Sequence, residues 1–194
     1  MNLPNKLTLM RIILVPFFML FLYLDIPYHF TLALLIFAAA SITDALDGKI
    51  ARKYHLITTF GKFADPLADK ILVLAALACL ADIDNPAVHV NGVVVTIIAA
   101  REFMVSGLRL VTAEKGVVVA AGIWGKLKTA FTMVAIVLIL IFLMIWGDFG
   151  VVMDGGTIGI ISIILTALIW ISVLLTIISG GIYLKGYAKY IETK

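Results

Sequence analysis

The stretch Phe30–Ile50, FTLALLIFAAASITDALDGKI, is apolar for most of its length and carries Asp44 and Asp47 near its end. A helix over these residues would be about 31 Å long, which matches a membrane hydrocarbon core about 30 Å thick. Asp44 would lie inside that core, where an ionisable side chain costs about 2.5–3.5 kcal/mol on insertion scales. Such residues usually face a bundle interior or a wet cavity. The stretch therefore predicts a membrane helix with a functional site at one end.

The rest of the chain repeats this apolar pattern. Of its 194 residues, 63% are hydrophobic and 14% are charged, whereas a soluble domain has about 45–50% and about 25%. Apolar runs of about 17–25 residues predict membrane helices. We therefore predict an all-α integral membrane protein with six transmembrane helices, forming a single domain over residues 1–194. The predicted helices are Leu7–Leu24, Phe30–Ile50, Asp65–Ala81, Val90–Val111, Lys128–Trp146 and Thr157–Leu184.

The positive charges fall on one side of this topology. With the N-terminus in the cytoplasm, the outward connections lie near Asp25–His29, Asp82–Val90 and Gly147–Gly156, and they contain none of the 15 lysines and arginines. Cytoplasmic loops of membrane proteins are enriched in these residues, so we expect both termini in the cytoplasm. Attraction to anionic lipid accounts for the net charge of +3 without a nucleic-acid partner.

Two pairs of aspartates are spaced so that each pair shares a helix face. Asp44 and Asp47 are three residues apart, and Asp65 and Asp69 are four apart, so the carboxylates of each pair converge. A polar turn over 48–64 would lay the two helices antiparallel with their acidic ends adjacent. Four neighbouring carboxylates need protons or bound cations to relieve their repulsion. All-oxygen ligands suit Mg²⁺ or Mn²⁺, and a pair of such ions could polarise a phosphoryl group.

Two other interpretations of the four aspartates stay open. They could form structural ion pairs with Arg52, Lys62 or Lys70, although two cofacial pairs fit that interpretation poorly. A divalent-cation transporter also carries intramembrane acids, but transport predicts acids near mid-membrane and access from both faces. Here the acids cluster at one edge and the outer halves of the helices are apolar, which favours an enzyme.

The residues around the aspartates resemble the signature of the CDP-alcohol phosphatidyltransferases, D-x2-D-G-x2-A-R-x8-G-x3-D-x3-D. All eight fixed positions match: Asp44, Asp47, Gly48, Ala51, Arg52, Gly61, Asp65 and Asp69. Segments 5–11, 61–70, 100–109 and 125–129 are similar to those of bacterial phosphatidylglycerophosphate synthases, one branch of this family. The resemblance covers nearly the whole chain.

The resemblance implies a function and a location. The chain would transfer a phosphatidyl group from CDP-diacylglycerol to glycerol 3-phosphate, as a homodimer in the bacterial cell membrane with its active site at the cytoplasmic face. Other members of the family accept inositol phosphate, serine or phosphatidylglycerol. Only the acceptor pocket separates these enzymes, so the alternative acceptors stay open at this point.

The resemblance also implies roles for individual residues. Asp44, Asp47, Asp65 and Asp69 would bind Mg²⁺ or Mn²⁺, with two ions in each active site, and Asp69 would also be the general base. The expected CDP-diacylglycerol site comprises Asn5, Thr8, Arg11, Asp44, Asp47, Gly48, Ala51, Arg52 and Gly61.

A second group of basic residues is expected to bind the acceptor phosphate: Arg101, Arg109, Lys126 and Lys128. Arg109 shares a helix face with Glu102 and Ser106, so it can face inward with Glu102 as a candidate partner. Arginine suits bidentate phosphate recognition. The alternative for Lys126 and Lys128 is simple anchoring to the inner leaflet.

Cysteine labelling tests the predicted topology. In a Cys79→Ala background, Asp84→Cys and Asp154→Cys should react with an impermeant thiol reagent added outside the cell, because both positions lie on outward connections. Lys53→Cys and Lys115→Cys should react only after the membrane is permeabilised. The reverse labelling pattern would contradict the charge argument.

Overall fold

The computed structural model describes residues 2–53, 59–114 and 122–191, with no side-chain positions for 3–4, 45–53, 59–60, 62–63, 65, 113–114 and 188–191. These residues form helices and no strand. A π-helical turn over Met144–Asp148 extends the fifth helix. The α-helices are α1 (Leu3–Tyr23), α2 (His29–Lys53), α3 (Thr59–Asp82), α4 (Gly92–Glu114), α5 (Ile123–Leu143) and α6 (Gly155–Ile191).

The prediction of an all-α chain with six helices is confirmed. Three segments of the described chain are long and apolar enough to cross a membrane: Asn5–Tyr23, Ile123–Asp148 and Gly155–Tyr187. The apolar part of α2 is shorter, His29–Asp44, and α3 and α4 are charged towards the end that carries the aspartates and arginines. The chain is thus a membrane protein in which some helices are apolar throughout and others are only partly apolar.

The predicted helix boundaries differ from the structure by several residues, most of all at the start of α3 and at the end of α6. Helix α3 begins at Thr59 rather than Asp65, and it continues through Gly61 and Pro66 without a break. The polar composition of 48–64 indicated a longer turn, but α2 is helical to Lys53. At the other end of the chain, α6 runs for 37 residues. It extends past the roughly 20 residues that a membrane requires.

The apolar core contains buried residues of all six α-helices, most of them from α1, α2, α3 and α5. Helix α1 packs on α2 and α3, while α5 packs on α6 and α2. The rings of Phe18 and Phe37 are 5.6 Å apart in this core, and Leu77 and Leu140 are fully buried beside them. Large apolar side chains such as Leu174 are exposed on the outside. A lipid environment accounts for an apolar surface that would be unfavourable in water.

A single buried stripe along α1 changes from polar to apolar. Its members recur every three or four residues, as expected for one helix face: Asn5, Thr8, Arg11, Val15, Phe18 and Leu22. The three apolar members pack in the core, whereas the three polar members are enclosed at the N-terminal end of α1. That end of the bundle is therefore where a polar site can form.

The opposite end of the bundle is fixed by Asp148, which follows α5. Its carboxylate accepts hydrogen bonds from the backbone N–H groups of Phe30 at 3.3 Å and Thr31 at 2.6 Å, and from the Thr31 hydroxyl at 2.7 Å. These N–H groups lie in the first turn of α2, where a helix offers them no internal partner. The Phe30 ring packs against Gly147, where an added Cβ would approach it to 2.6 Å. Asp148 thus caps α2 from a distant part of the chain.

Loss of this cap should destabilise the fold. We expect Asp148→Ala to lower the free energy of unfolding by about 0.5–2 kcal/mol, the usual value of a helix N-cap. The measurement is reversible unfolding of the purified protein in detergent micelles. Asp25→Ala, at an exposed position in the neighbouring α1–α2 connection, is the matched control and should change little. Equal stability of both variants would contradict the role given to Asp148.

Candidate active site

Arg11 and Asp44 join α1 to α2 at the polar end of the bundle. The Arg11 Nη1 atom lies 2.7 Å from Asp44 Oδ1, with the arginine side chain fully buried and the aspartate 49% exposed. A buried guanidinium is stable only with such a partner. Arg11 therefore holds the Asp44 carboxylate in place, while half of that carboxylate stays accessible.

Asp69, on α3, is the second described carboxylate of the signature. Its side chain is also 49% exposed, and Lys70 Nζ lies 3.5 Å from Oδ1. Lys70 also donates to the backbone carbonyl of Pro66 at 2.8 Å. Asp44 and Asp69 are close enough to interact electrostatically. Two half-exposed carboxylates from different helices thus face the same region.

This arrangement fits a hard divalent cation, because carboxylate oxygens are the ligands that Mg²⁺ prefers and a cation relieves the repulsion between them. The side chains of Asp47 and Asp65 lie outside the described residues. Within the part of the chain that the structure describes, no group of three or more acidic, histidine or cysteine side chains could hold a metal ion. Of the four predicted metal ligands, the structure therefore describes the side chains of one aspartate from each pair.

The predicted CDP-diacylglycerol residues are described in part. Asn5, Thr8 and Arg11 lie on the buried face of α1, and Gly61 is buried near the start of α3. Arg11 connects that face to Asp44. The remaining members of the predicted site have side chains outside the described residues: Asp47, Gly48, Ala51 and Arg52.

A cavity of about 520 Å³ opens beside Asp69, between α3, α4, α5 and α6. Its volume is in the range of small-ligand sites, about 300–1,000 Å³. The cavity wall brings Asp69 together with all four basic residues predicted to bind the acceptor phosphate: Arg101, Arg109, Lys126 and Lys128. Basic residues from two separate helices, α4 and α5, therefore converge on the predicted general base on α3.

Glu102 lies at the centre of a buried ion network in this wall. Its Oε1 atom accepts a hydrogen bond from Arg101 Nη1 at 3.0 Å and another from Lys128 Nζ. All three side chains are nearly buried, at 10%, 13% and 8% exposure for Arg101, Glu102 and Lys128. Lys128 thus points into the protein rather than to a membrane surface, whereas Lys126 is exposed.

The prediction that Glu102 would partner Arg109 is wrong. Two helical turns separate these residues, a rise of about 10.5 Å along the axis, which is too far for a direct contact. The Glu102 carboxylate instead meets the adjacent Arg101 and Lys128 of α5. Arg109 Nη2 donates to the hydroxyl of Tyr183 on α6, at 2.8 Å.

Tyr183 is the site residue that the sequence analysis missed. It lines the cavity, and the guanidinium carbons of Arg101 and Arg109 lie 5.4 Å and 5.3 Å from the centre of its ring. These distances are typical of cation–π contacts. A tyrosine near the end of an apolar helix ordinarily indicates an anchor at the membrane interface. The sequence around Tyr183 therefore does not predict the contact of this residue with two arginines.

Sequence comparisons show which known proteins the chain is similar to. Residues 1–178 match the CDP-alcohol phosphatidyltransferase family. The chain is 39% identical over 189 residues to the CDP-diacylglycerol–glycerol-3-phosphate 3-phosphatidyltransferase of Rickettsia felis, with 97% of each chain covered. The protein of the same name from Bacillus subtilis is 45% identical over 147 residues, which cover 70% of this chain and 74% of that one. The Escherichia coli protein of that name is 40% identical over 154 residues, covering 76% and 81%.

Removal of the Glu102 charge tests the ion network. Breaking a buried ion pair at one partner costs about 3–5 kcal/mol. We expect Glu102→Gln to lower the free energy of unfolding by about 3 kcal/mol, the lower end of that range, because the amide oxygen still accepts a hydrogen bond. Chemical denaturation in detergent measures the effect, and Asp84→Asn, at an exposed position, is the control. Wild-type stability of Glu102→Gln would show that the network does not form.

Proposed function

The chain belongs to the CDP-alcohol phosphatidyltransferase family, and on that basis we propose that it transfers the phosphatidyl group of CDP-diacylglycerol to sn-glycerol 3-phosphate. The products would be phosphatidylglycerol phosphate and CMP. Relatives named for this activity align with up to 97% of the chain. The structural observation that carries the proposal is the cavity in which Asp69 meets Arg101, Arg109, Lys126 and Lys128.

The charge of this cavity favours a phosphorylated acceptor. Its wall contains more basic than acidic side chains, because Lys70 joins the four predicted phosphate ligands, whereas the acids are Asp69 and Glu102. The Glu102 carboxylate is already engaged by Arg101 and Lys128. A phosphate monoester would balance the surplus positive charge, while serine has no net charge to do so. Arginine in addition matches phosphate geometry through its planar array of N–H donors.

The proposed reaction is a phosphoryl transfer at the edge of this cavity. A hydroxyl oxygen of glycerol 3-phosphate forms a bond to the phosphorus that bears the diacylglycerol, and the bond from that phosphorus to the CMP oxygen breaks. The hydroxyl proton passes to the Asp69 carboxylate, and CMP leaves with the electron pair of the broken bond. Holding the acceptor phosphate on basic side chains places the hydroxyl near Asp69, which makes the attack effectively intramolecular.

Asp44, Asp47, Asp65 and Asp69 would hold the divalent metal on which the family depends, as two Mg²⁺ or Mn²⁺ ions in each active site. When bound, the metal would stabilise negative charge on the CDP pyrophosphate and on the leaving phosphate. The metal site is supported by the proximity of Asp44 to Asp69, whose side chains are each about half exposed. The nucleotide end of the substrate would lie along the residues predicted for it: Asn5, Thr8, Arg11, Gly48, Ala51, Arg52 and Gly61.

We propose further that all six helices cross the bacterial plasma membrane, with both termini and the active site on the cytoplasmic side. The distribution of lysine and arginine along the chain supports this orientation. Asp44, Asp69 and the cavity lie at one end of the bundle, opposite the Asp148 cap, which agrees with a site at one membrane edge. The single domain is expected from the sequence pattern, and the homodimer is expected from the family resemblance.

Release of CMP tests the function and the metal together. The purified protein with CDP-diacylglycerol and Mg²⁺ or Mn²⁺ should release CMP when glycerol 3-phosphate is added, and much less with inositol phosphate, serine or phosphatidylglycerol. Excess chelator should abolish the release, and added metal should restore it, because the aspartates bind the substrate through the cation. Asp44→Asn should be inactive although it still inserts and purifies, whereas Asp84→Asn should remain active.

Two outcomes of this assay would contradict the proposal. Preference for another acceptor would overturn the choice of glycerol 3-phosphate while leaving the family assignment intact. Full activity in excess chelator would overturn the role of the four aspartates as metal ligands.

A further inference from the structure

Tyr183 lies at a position that the family match does not reach. That match ends at residue 178, and Tyr183 follows on the extended part of α6. The side chain is only 5% exposed, yet it contributes to the wall of the cavity that contains Asp69. It is therefore a buried phenol beside the proposed reaction centre whose role family membership does not assign.

The ring of Tyr183 makes cation–π contacts with two arginines. The guanidinium groups of Arg101 and Arg109 both lie over this ring, at 5.4 Å and 5.3 Å from its centre. Two like charges that converge on one small region repel each other, and the negative face of an aromatic ring offsets part of that cost. The Tyr183 ring thus stabilises a pair of arginines that would bind one anion.

The hydrogen bonds of this group are incomplete. A tyrosine hydroxyl can accept and also donate one hydrogen bond, whereas a guanidinium can only donate. The Tyr183 oxygen accepts from Arg109 Nη2 at 2.8 Å, and its own proton has no acceptor among the described residues. Arg101 is 9% exposed, and its Nε atom is buried without a partner in the described part of the chain. Buried donors without acceptors are unfavourable, so they point to a ligand that supplies acceptor oxygens.

Close backbone packing holds these donors in place. An added Cβ at Gly180 would approach Arg101 Cγ to 3.2 Å, so the arginine stem packs directly on the α6 backbone. At Gly125 of α5, an added Cβ would lie 3.6 Å from the Tyr183 ring and 3.7 Å from Arg101 Nη2. Glu102 fixes the other side of the Arg101 guanidinium. The donors are therefore prearranged before any ligand binds.

We propose that Tyr183 is a binding and specificity residue of the acceptor site, whose hydroxyl donates a hydrogen bond to the phosphate of glycerol 3-phosphate while its ring positions Arg101 and Arg109. This inference rests on the proposed function and deepens it. Phosphate oxygens would accept from the Tyr183 hydroxyl and from the unpartnered Arg101 Nε. An acceptor without a phosphate would leave both donors unsatisfied, so Tyr183 contributes to selection for a phosphate monoester.

The test compares Tyr183→Phe, which keeps the ring, with Tyr183→Leu, which removes both the ring and the hydroxyl. In steady-state titrations, Tyr183→Phe should raise the KM for glycerol 3-phosphate about ten- to a hundred-fold, as expected for a lost hydrogen bond to a charged group. The KM for CDP-diacylglycerol should stay within about two-fold, because no substrate contact at that end is lost. Tyr183→Leu should raise the KM for glycerol 3-phosphate more than Tyr183→Phe does, because it also removes the ring that positions Arg101 and Arg109.

Tyr187→Phe is the matched control. Its ring stacks on Tyr183 at 6.2 Å, but it does not contribute to the cavity wall as described. The same hydroxyl deletion one helical turn away should leave both KM values at the wild-type level. If Tyr183→Leu fails to fold, Tyr183→Phe still decides the question because it preserves the packing of the ring.

A direct measurement of ligand binding distinguishes an error in this inference from an error in the proposed function. Glycerol 3-phosphate and inorganic phosphate should raise the melting temperature of the wild type in detergent, and glycerol should not. Tyr183→Phe should require about ten-fold more phosphate for the same shift. A wild type that neither responds to phosphate nor releases CMP would overturn the function. A responsive, active wild type with an unchanged Tyr183→Phe, or with both KM values raised equally, would overturn the role of Tyr183.

Discussion

A charge inside an apolar bundle requires a partner of opposite sign, and this requirement determines how the helices meet at one end of the protein. Arg11 is fully buried on α1 and is paired with Asp44 of α2. Glu102 of α4 is paired with its neighbour Arg101 and with Lys128 of α5. The Arg11–Asp44 pair therefore links α1 to α2, and the Glu102–Lys128 pair links α4 to α5. Loss of Glu102 would leave two nearly buried cations without their shared carboxylate, at a cost of several kcal/mol.

These pairs divide the polar end into two halves that share Asp69. On one side, α1 and α2 present the buried polar face and Asp44, which suit the nucleotide and its metal. On the other side, α4, α5 and α6 present the basic cavity, which suits a small phosphorylated acceptor. Asp69 faces Asp44 on one side and lines the cavity on the other. A transfer between two substrates needs a residue in this shared position.

The sequence predicts the helices because apolar runs of membrane length are a local signal. It predicts the association of Asp44 with Asp69 because each belongs to a pair of aspartates at helix spacing, and the polar stretch between the two pairs favours an antiparallel turn. It does not predict contacts that depend on how distant helices pack. Tyr183 meets Arg101 and Arg109 across the α4–α6 interface, and Asp148 caps a helix 117 residues away. The predicted Glu102–Arg109 pair failed because a shared helix face does not bring side chains two turns apart into contact.

The π-helical turn at Met144–Asp148 acts as a one-residue insertion in α5. Such a turn shifts the residues after it by about 100° around the helix axis relative to a continuous α-helix. Upstream, Ile136 and Ile139 lie in the core, while Gly147 and Asp148, the last two residues of the turn, contact the start of α2. Shortening the turn by one residue would restore a regular α-helix. It would also rotate the Asp148 carboxylate away from the α2 N–H groups from which it accepts hydrogen bonds. The length of this segment, as much as its composition, is thus under structural constraint.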